Sequence, residues 1–147
     1  MKSEIYGIIV FLHVLSAVLS IGPLTILMPV IKRLHGVEAG IEQAYLSVIK
    51  VVIRIVMHAG HVLVVSGVLL LIFGPYPWTT SWVILTLAVL LVSGVFLSKG
   101  FTIVLRRFHK PDADKTDILK RLMTTSWVYL GLMLLMLWLM VQKPMIW

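Results

Sequence analysis

Residues 46–73, LSVIKVVIRIVMHAGHVLVVSGVLLLIF, decide the fold of this chain. The stretch exceeds the roughly 20 predominantly apolar residues that a helix needs to cross the hydrocarbon of a bilayer. Its only formal charges, Lys50 and Arg54, lie near its start. It also contains His58 and His61, and an ionisable side chain at membrane depth is costly and is rarely left there without a partner or a task. The stretch therefore predicts a transmembrane helix that carries a candidate functional site.

Three further stretches have the same character, at about 5–31, 80–105 and 118–141. The whole chain is 60% hydrophobic and 13% charged, whereas about a quarter of the residues of a soluble domain are charged. Since polar groups cannot cover so much apolar surface in water, lipid must cover it. We predict an all-α integral membrane protein, a single four-transmembrane-helix bundle over residues 1–147.

Basic residues set the expected orientation of this bundle. They concentrate around the first and third connections, whereas residues 74–79, in the second connection, carry no formal charge. The positive-inside rule then places the first and third connections in the cytoplasm and both termini on the outer side of the cell inner membrane. Anionic lipid headgroups, rather than nucleic acid, account for the net charge of +7. The basic residues of the first and third connections and their flanks are Lys32, Arg33, Lys50, Arg54, Lys99, Arg106, Arg107, Lys110, Lys115, Lys120 and Arg121.

Several kinds of chemistry are not expected. The chain has no cysteine, which excludes disulfides, thiolate metal sites and cysteine nucleophiles. All acidic residues lie at helix ends or in connections, so a carboxylate proton pump, a di-iron carboxylate site or a Ser-His-Asp triad at membrane depth is not expected. Among these end residues, Asp114 or Thr116 is expected to cap the fourth helix.

His13 lies about two turns from the start of the first predicted helix. Ser16, Ala17 and Ser20 follow at spacings of three, four and seven, so that one helical face is small or polar. Such a face allows close approach of a flat ligand or of another helix. The alternative interpretation is a histidine hydrogen-bonded to a neighbouring helix.

Arg54, His58, His61 and Val65 form a single stripe on the second predicted helix, since their steps are four, three and four. The stripe predicts either a ligand site in the bundle or a polar network between helices. If the first two helices are antiparallel, the depths of His13 and His61 differ by only roughly 6 Å. Two imidazoles at one level can bind haem iron from both sides.

We therefore predict one b-type haem with His13 and His61 as its metal ligands. In this hypothesis His58 is an alternate ligand or a supporting group, and the cation of Arg54 pairs with the haem propionates. The expected role is redox transfer involving a quinone or a partner oxidoreductase. All of these groups occur in the chain, although their spacing alone does not fix the site.

The segment from His13 to Pro23, in which Gly22 follows His13 by nine residues, resembles the first helix of HemJ-type protoporphyrinogen oxidases and of copper-resistance D-like membrane proteins. The resemblance implies haem b bound through His13. Ser20 stands where HemJ-type proteins carry an aromatic residue. The chain is more similar to a family of four-span integral membrane proteins of unknown function, whose members often end in a pattern like that of 139–144, LMVQKP.

Two other functions remain open. The small-residue faces are typical of a non-catalytic membrane scaffold, either a homo-oligomer or an accessory subunit of a larger complex. A copper-handling or small transport protein is the third hypothesis, because Met133, Met136 and Met140 form a stripe on the fourth helix. Thioether ligands favour copper(I), whereas such a stripe in a membrane helix is more often packing.

Overall fold

The structure, a computed structural model, describes residues 2–108, 110, 112 and 114–147, apart from the side chains of residues 105 and 108. It contains four helices and, in this described part, no strand. Each helix is long and apolar enough to cross a membrane. The prediction of an all-α chain with four helices long and apolar enough to span a membrane is confirmed for the described residues. The helices are α1 (Lys2–Arg33), α2 (Ala39–Phe73), α3 (Ser81–Phe108) and α4 (Lys115–Gln142).

The largest difference from the predicted helix bounds lies at the start of α2, which begins at Ala39 rather than near residue 46. Glu38, with extended backbone, precedes the first turn, and its carbonyl accepts a hydrogen bond from the amide of Glu42 at 2.9 Å. The carboxylate of Glu42, in the first turn, interacts favourably with the positive end of the helix dipole and stabilises the start of the helix. With 35 residues, α2 is about 52 Å long and exceeds the hydrocarbon thickness of roughly 30 Å.

The bundle consists of two antiparallel hairpins. The first joins α1 to α2 and the second joins α3 to α4, while α1 packs on α4 and α2 barely contacts α3. The order across the bundle is therefore α2, α1, α4, α3. The shared core includes Leu24 and Leu27 of α1, Val56 of α2, Phe101 of α3 and Met133 of α4.

The end of the bundle that contains both chain termini is here named the terminal end. Lys143, at φ 46°, ends α4 in the left-handed conformation, and its ammonium donates to the Tyr76 hydroxyl at 2.7 Å. The Ser81 hydroxyl donates to the Pro144 carbonyl at 2.9 Å, and the Trp147 indole donates to the backbone of the α2–α3 connection. These contacts fold residues 143–147 back onto that connection. Lys143 and Pro144 thus both hydrogen-bond to residues of the α2–α3 region.

The opposite end, named the basic end, contains the α1–α2 and α3–α4 connections. Asp114 caps α4, since its carboxylate accepts a hydrogen bond from the amide of Thr116 at 3.0 Å. Of the two predicted caps, Asp114 is therefore the correct one. The ammonium of Lys115 contacts both carboxylate oxygens of Glu42, at 2.8 and 3.0 Å, and so joins the starts of α4 and α2.

Candidate functional site

His13 lies in the contact between α1 and α2, where only 8% of its surface is exposed. Its Nδ1 is 3.0 Å from the hydroxyl of Ser66. That hydroxyl donates its one proton to the Val62 carbonyl at 2.6 Å, so it accepts from Nδ1–H of His13. This tautomer leaves Nε2 with a free electron pair. The hydrogen bond thus orients the ring within the contact between α1 and α2.

Gly67 determines how closely the His13 ring approaches α2. A Cβ built on Gly67 would lie 3.1 Å from Cε1 of His13, a distance tighter than nearly all real contacts of this kind. A side chain at this position would require the His13 ring to shift by a few tenths of an ångström. The His13 site is therefore part of the packing of α1 against α2.

The small polar face predicted after His13 is buried, as the sequence indicated. The hydroxyl of Ser16 donates to the carbonyl of Leu12 in its own helix at 2.6 Å. Ser20 is fully buried, and its hydroxyl has no hydrogen-bond partner among the described residues. The face therefore allows close helix packing and leaves one polar group unsatisfied near the middle of α1.

Arg54, His58, His61 and Val65 are all exposed and follow one side of α2. The ring centroids of His58 and His61 are 6.5 Å apart, and their planes are tilted by 52°. The two imidazoles are therefore neighbours along the helix but are not stacked. The stripe predicted from the spacing exists, and it lies on the outside of the chain.

The structure does not bring His13 and His61 together within one chain. At about 100° per residue, His61 lies about 140° around α2 from Ser66, which His13 contacts. Along the helix axis the difference is only about 8 Å, close to the depth difference expected from the sequence. The two rings thus lie at similar depth but on different sides of α2, and haem binding stays a prediction.

The methionine stripe of α4 belongs to the hydrophobic core. Met133 and Met136 are buried there, while Met140 is half-buried. Within the part of the chain that the structure describes, no group of three or more histidine and acidic side chains is arranged to hold a metal ion. Burial in the core accounts for Met133 and Met136, and copper binding by the stripe stays a prediction.

Tyr129 is a buried polar residue that the sequence analysis did not single out. Its ring packs edge-to-face against Phe101 of α3, with centroids 6.4 Å apart. Its hydroxyl lies 4.0 Å from the position of a Cβ built on Gly60 of α2. In the sequence, the only indication of this contact is a tyrosine within the apolar run of α4. Its neighbour Gly60 lies far away in the sequence, so spacing does not relate the two residues.

The four apolar helices define the class of this molecule, a multi-pass membrane protein. Comparison of the chain with protein-family models, with curated proteins and with solved structures gives no match. The chain presents two candidate sites: the buried His13 contact and the exposed stripe of α2.

Proposed function

We propose that the chain is a non-catalytic membrane subunit that assembles with a second copy of itself through the outer face of α2. The observation that carries this proposal is the exposure of His58 and His61 on one side of a helix that is long and apolar enough to span a membrane. Ionisable residues within membrane spans almost always face a protein interior or a water-filled cavity rather than lipid. A second helix on this face would provide the missing partners.

The chemistry of the stripe is complementary to itself. A neutral imidazole has one donor and one acceptor nitrogen, so identical rings from two copies can hydrogen-bond to each other. Around a two-fold axis, the same surface of each copy meets its equivalent. If the hydrocarbon of roughly 30 Å begins at Phe73, Arg54 lies near its opposite boundary, about 28 Å along α2. Its guanidinium therefore reaches headgroups and water, where repulsion between two copies is screened.

A cysteine cross-link tests this interface, because the natural chain has no cysteine. Val65 continues the stripe and is 60% exposed, so Val65→Cys places a single thiol on the proposed contact. Val14 of α1 is 55% exposed and follows His13, which pairs with Ser66, so Val14 lies at the depth of Val65. Val14→Cys is therefore the matched control. Oxidation in membranes should cross-link Val65→Cys into dimers and leave Val14→Cys monomeric.

Two results would contradict the proposal. Equal cross-linking of both variants would indicate random collision in the bilayer. A cross-link of Val65→Cys to a different protein would show that another subunit covers α2.

Addition of His58→Ala and His61→Ala to the Val65→Cys chain should reduce the dimer, because the polar contacts that favour it are then absent.

Haem b binding is the second candidate function. It is favoured because two imidazoles and a cation lie on the same exposed stripe. Imidazole is a common axial ligand of haem iron, and a guanidinium pairs well with a carboxylate such as a propionate. His61 or His58 would hold the iron and Arg54 a propionate. The opposite ligand would come from the second copy, since His13 of the same chain lies on another side of α2. The haem would supply one-electron transfer to a quinone or a partner oxidoreductase.

Absorption spectroscopy of purified, haem-supplemented protein tests this second candidate. A Soret band that is lost or shifted in His61→Ala, and retained in His13→Ala, would support haem on the outer face of α2. A band lost in His13→Ala alone would instead place the iron on Nε2 of His13. Absence of any band while the Val65→Cys dimer persists would contradict haem binding and leave the scaffold function standing.

We also propose that the basic end faces the cytoplasm of a cell inner membrane, which the concentration of lysine and arginine at that end supports. Gln43 and Met145 are exposed residues at the basic and terminal ends. A membrane-impermeant thiol reagent applied to intact cells should label Met145→Cys and not Gln43→Cys. The reverse labelling would invert the orientation.

A further inference from the structure

A groove of about 820 Å³ lies between α3 and α4 and extends toward the basic end. Its volume falls within the range of roughly 300–1,000 Å³ that is typical of ligand pockets. The two helices approach closely at Gly100, where a Cβ would lie 2.8 Å from Cγ2 of Thr125. Both residues line the groove. The groove is therefore a consequence of how α3 packs on α4, on the hairpin that does not include the α2 stripe.

Most of the groove is apolar and faces away from the bundle. Leu91 and Val95 of α3 are 71% and 55% exposed, and both line it. In a bilayer this part of α3 contacts hydrocarbon. A ligand lying along it must therefore present an apolar segment.

Three cations line the same groove: Lys99, Lys120 and Arg121. If the hydrocarbon of roughly 30 Å begins at Ser81, Lys99 lies near its opposite boundary, about 27 Å along α3. Arg121 Nε contacts the carboxylate of Asp117 at 3.0 Å. A guanidinium has five donors, so further donors of Arg121 remain for a second acceptor. The cations thus lie at headgroup depth, next to the apolar part of the groove.

We propose that this groove binds an anionic phospholipid. One acyl chain lies along Leu91 and Val95, and Lys99, Lys120 and Arg121 contact the phosphate. The charge of the site favours a headgroup with a net negative charge over a zwitterionic one. The apolar length of the groove favours a lipid over a free phosphate ion, which would leave that length without a partner.

Native mass spectrometry of the full chain in detergent tests this site. The chain is titrated with phosphatidylglycerol, with phosphatidylcholine of the same acyl chains, and with inorganic phosphate. Phosphatidylglycerol should bind about tenfold tighter than phosphatidylcholine. Inorganic phosphate should not displace it at equal concentration. Equal binding of the two lipids, or displacement by inorganic phosphate alone, would overturn the proposal.

Matched variants locate the binding. Lys99→Ala combined with Lys120→Ala should lower the affinity for phosphatidylglycerol about tenfold, to that of phosphatidylcholine. Lys32→Ala combined with Arg33→Ala removes the same charge from exposed residues at the basic end outside the groove, and should leave the preference intact. An equal loss in this control would show a diffuse charge effect and overturn the site.

A groove-filling variant keeps the test decisive if the double lysine variant fails to fold. Val95→Trp retains all three cations but occupies the apolar part of the groove. It should weaken binding of both lipids severalfold. Unchanged binding of both would show that no acyl chain lies along α3 there, and the proposal would fail.

Discussion

The histidines on the two sides of α2 differ in burial and in hydrogen bonding. On its packed side, the His13 ring contributed by α1 is buried, hydrogen-bonded to Ser66 and in close contact with Gly67. On its outer side, His58 and His61 are exposed, and each has the other as its nearest ring. A histidine satisfied within the chain contributes to packing, whereas histidines left unsatisfied at membrane depth indicate a missing partner. The buried histidine therefore belongs to the fold of one chain, and the two exposed histidines belong to its proposed function.

The largest expected effect on stability comes from a bulky side chain placed on the side of α2 that packs against α1. Gly67→Leu would place side-chain atoms where the His13 ring lies, and α1 would have to move away from α2. We expect a loss of about 3 kcal/mol in the free energy of unfolding, at the upper end of typical overpacking costs. Thermal unfolding in detergent, followed by circular dichroism, measures it.

Gly94→Leu is the control for this variant, because a Cβ on Gly94 meets nothing within 4 Å. Its unfolding should differ from that of the natural chain by no more than about 0.5 kcal/mol. If Gly67→Leu were equally harmless, the close contact of α1 with α2 at His13 would be wrong.

Truncation of the histidines compares the two sides directly. His13→Ala leaves a cavity between α1 and α2 and should cost about 2 kcal/mol. His61→Ala removes an exposed ring and should change the stability of the isolated chain by less than about 0.5 kcal/mol. Both are measured by unfolding in detergent, at a dilution where the chain is monomeric. Equal costs would show that His61 is buried within one chain after all.

A smaller effect isolates the hydrogen bond on the packed side. Ser66→Ala removes the acceptor of His13 Nδ1 and should cost about 0.6 kcal/mol, the average found for such bonds between membrane helices. Ser98→Ala, at an exposed position of α3, should cost less. In a double-mutant cycle, Ser66→Ala should add almost nothing to His13→Ala, because the bond is already lost. Full additivity would mean that the two side chains do not interact.

The fold could be predicted from the sequence because membrane spans depend on a coarse property. Apolar length alone identifies four helices, and charge at their ends limits where they stop. The start of α2 differs from the prediction because Glu42 and Gln43 interrupt the apolar run, and hydropathy does not detect a helix that continues beyond the lipid. The dipole-favoured first turn after Glu38 explains the extra length.

The candidate site was less predictable, since α2 is apolar on almost every side. Spacing showed that His58 and His61 share a face, and similar counting gave a realistic depth for His13. Neither result shows which face meets α1. Ile53, Val56 and Leu63 are buried while Val62 and Val65 are exposed, although all are aliphatic. Small residues such as Gly67 allow α1 to approach this face of α2 closely. That contribution becomes visible only when the position of α1 is known.

The smallest expected effect on stability is also the sharpest test of the outer side. His58→Phe combined with His61→Phe replaces two exposed imidazoles by apolar rings of similar shape. In the monomeric chain, neither imidazole has a hydrogen-bond partner among the described residues, so nothing is lost and the unfolding free energy should change by less than about 0.5 kcal/mol. Assembly should respond differently, because phenylalanine neither donates nor accepts a hydrogen bond, and the Val65→Cys cross-link should fall severalfold. A monomer destabilised by more than about 1 kcal/mol would place the two histidines inside the chain. An undiminished cross-link would show that packing of aliphatic and aromatic side chains alone, rather than the imidazoles, holds two copies together.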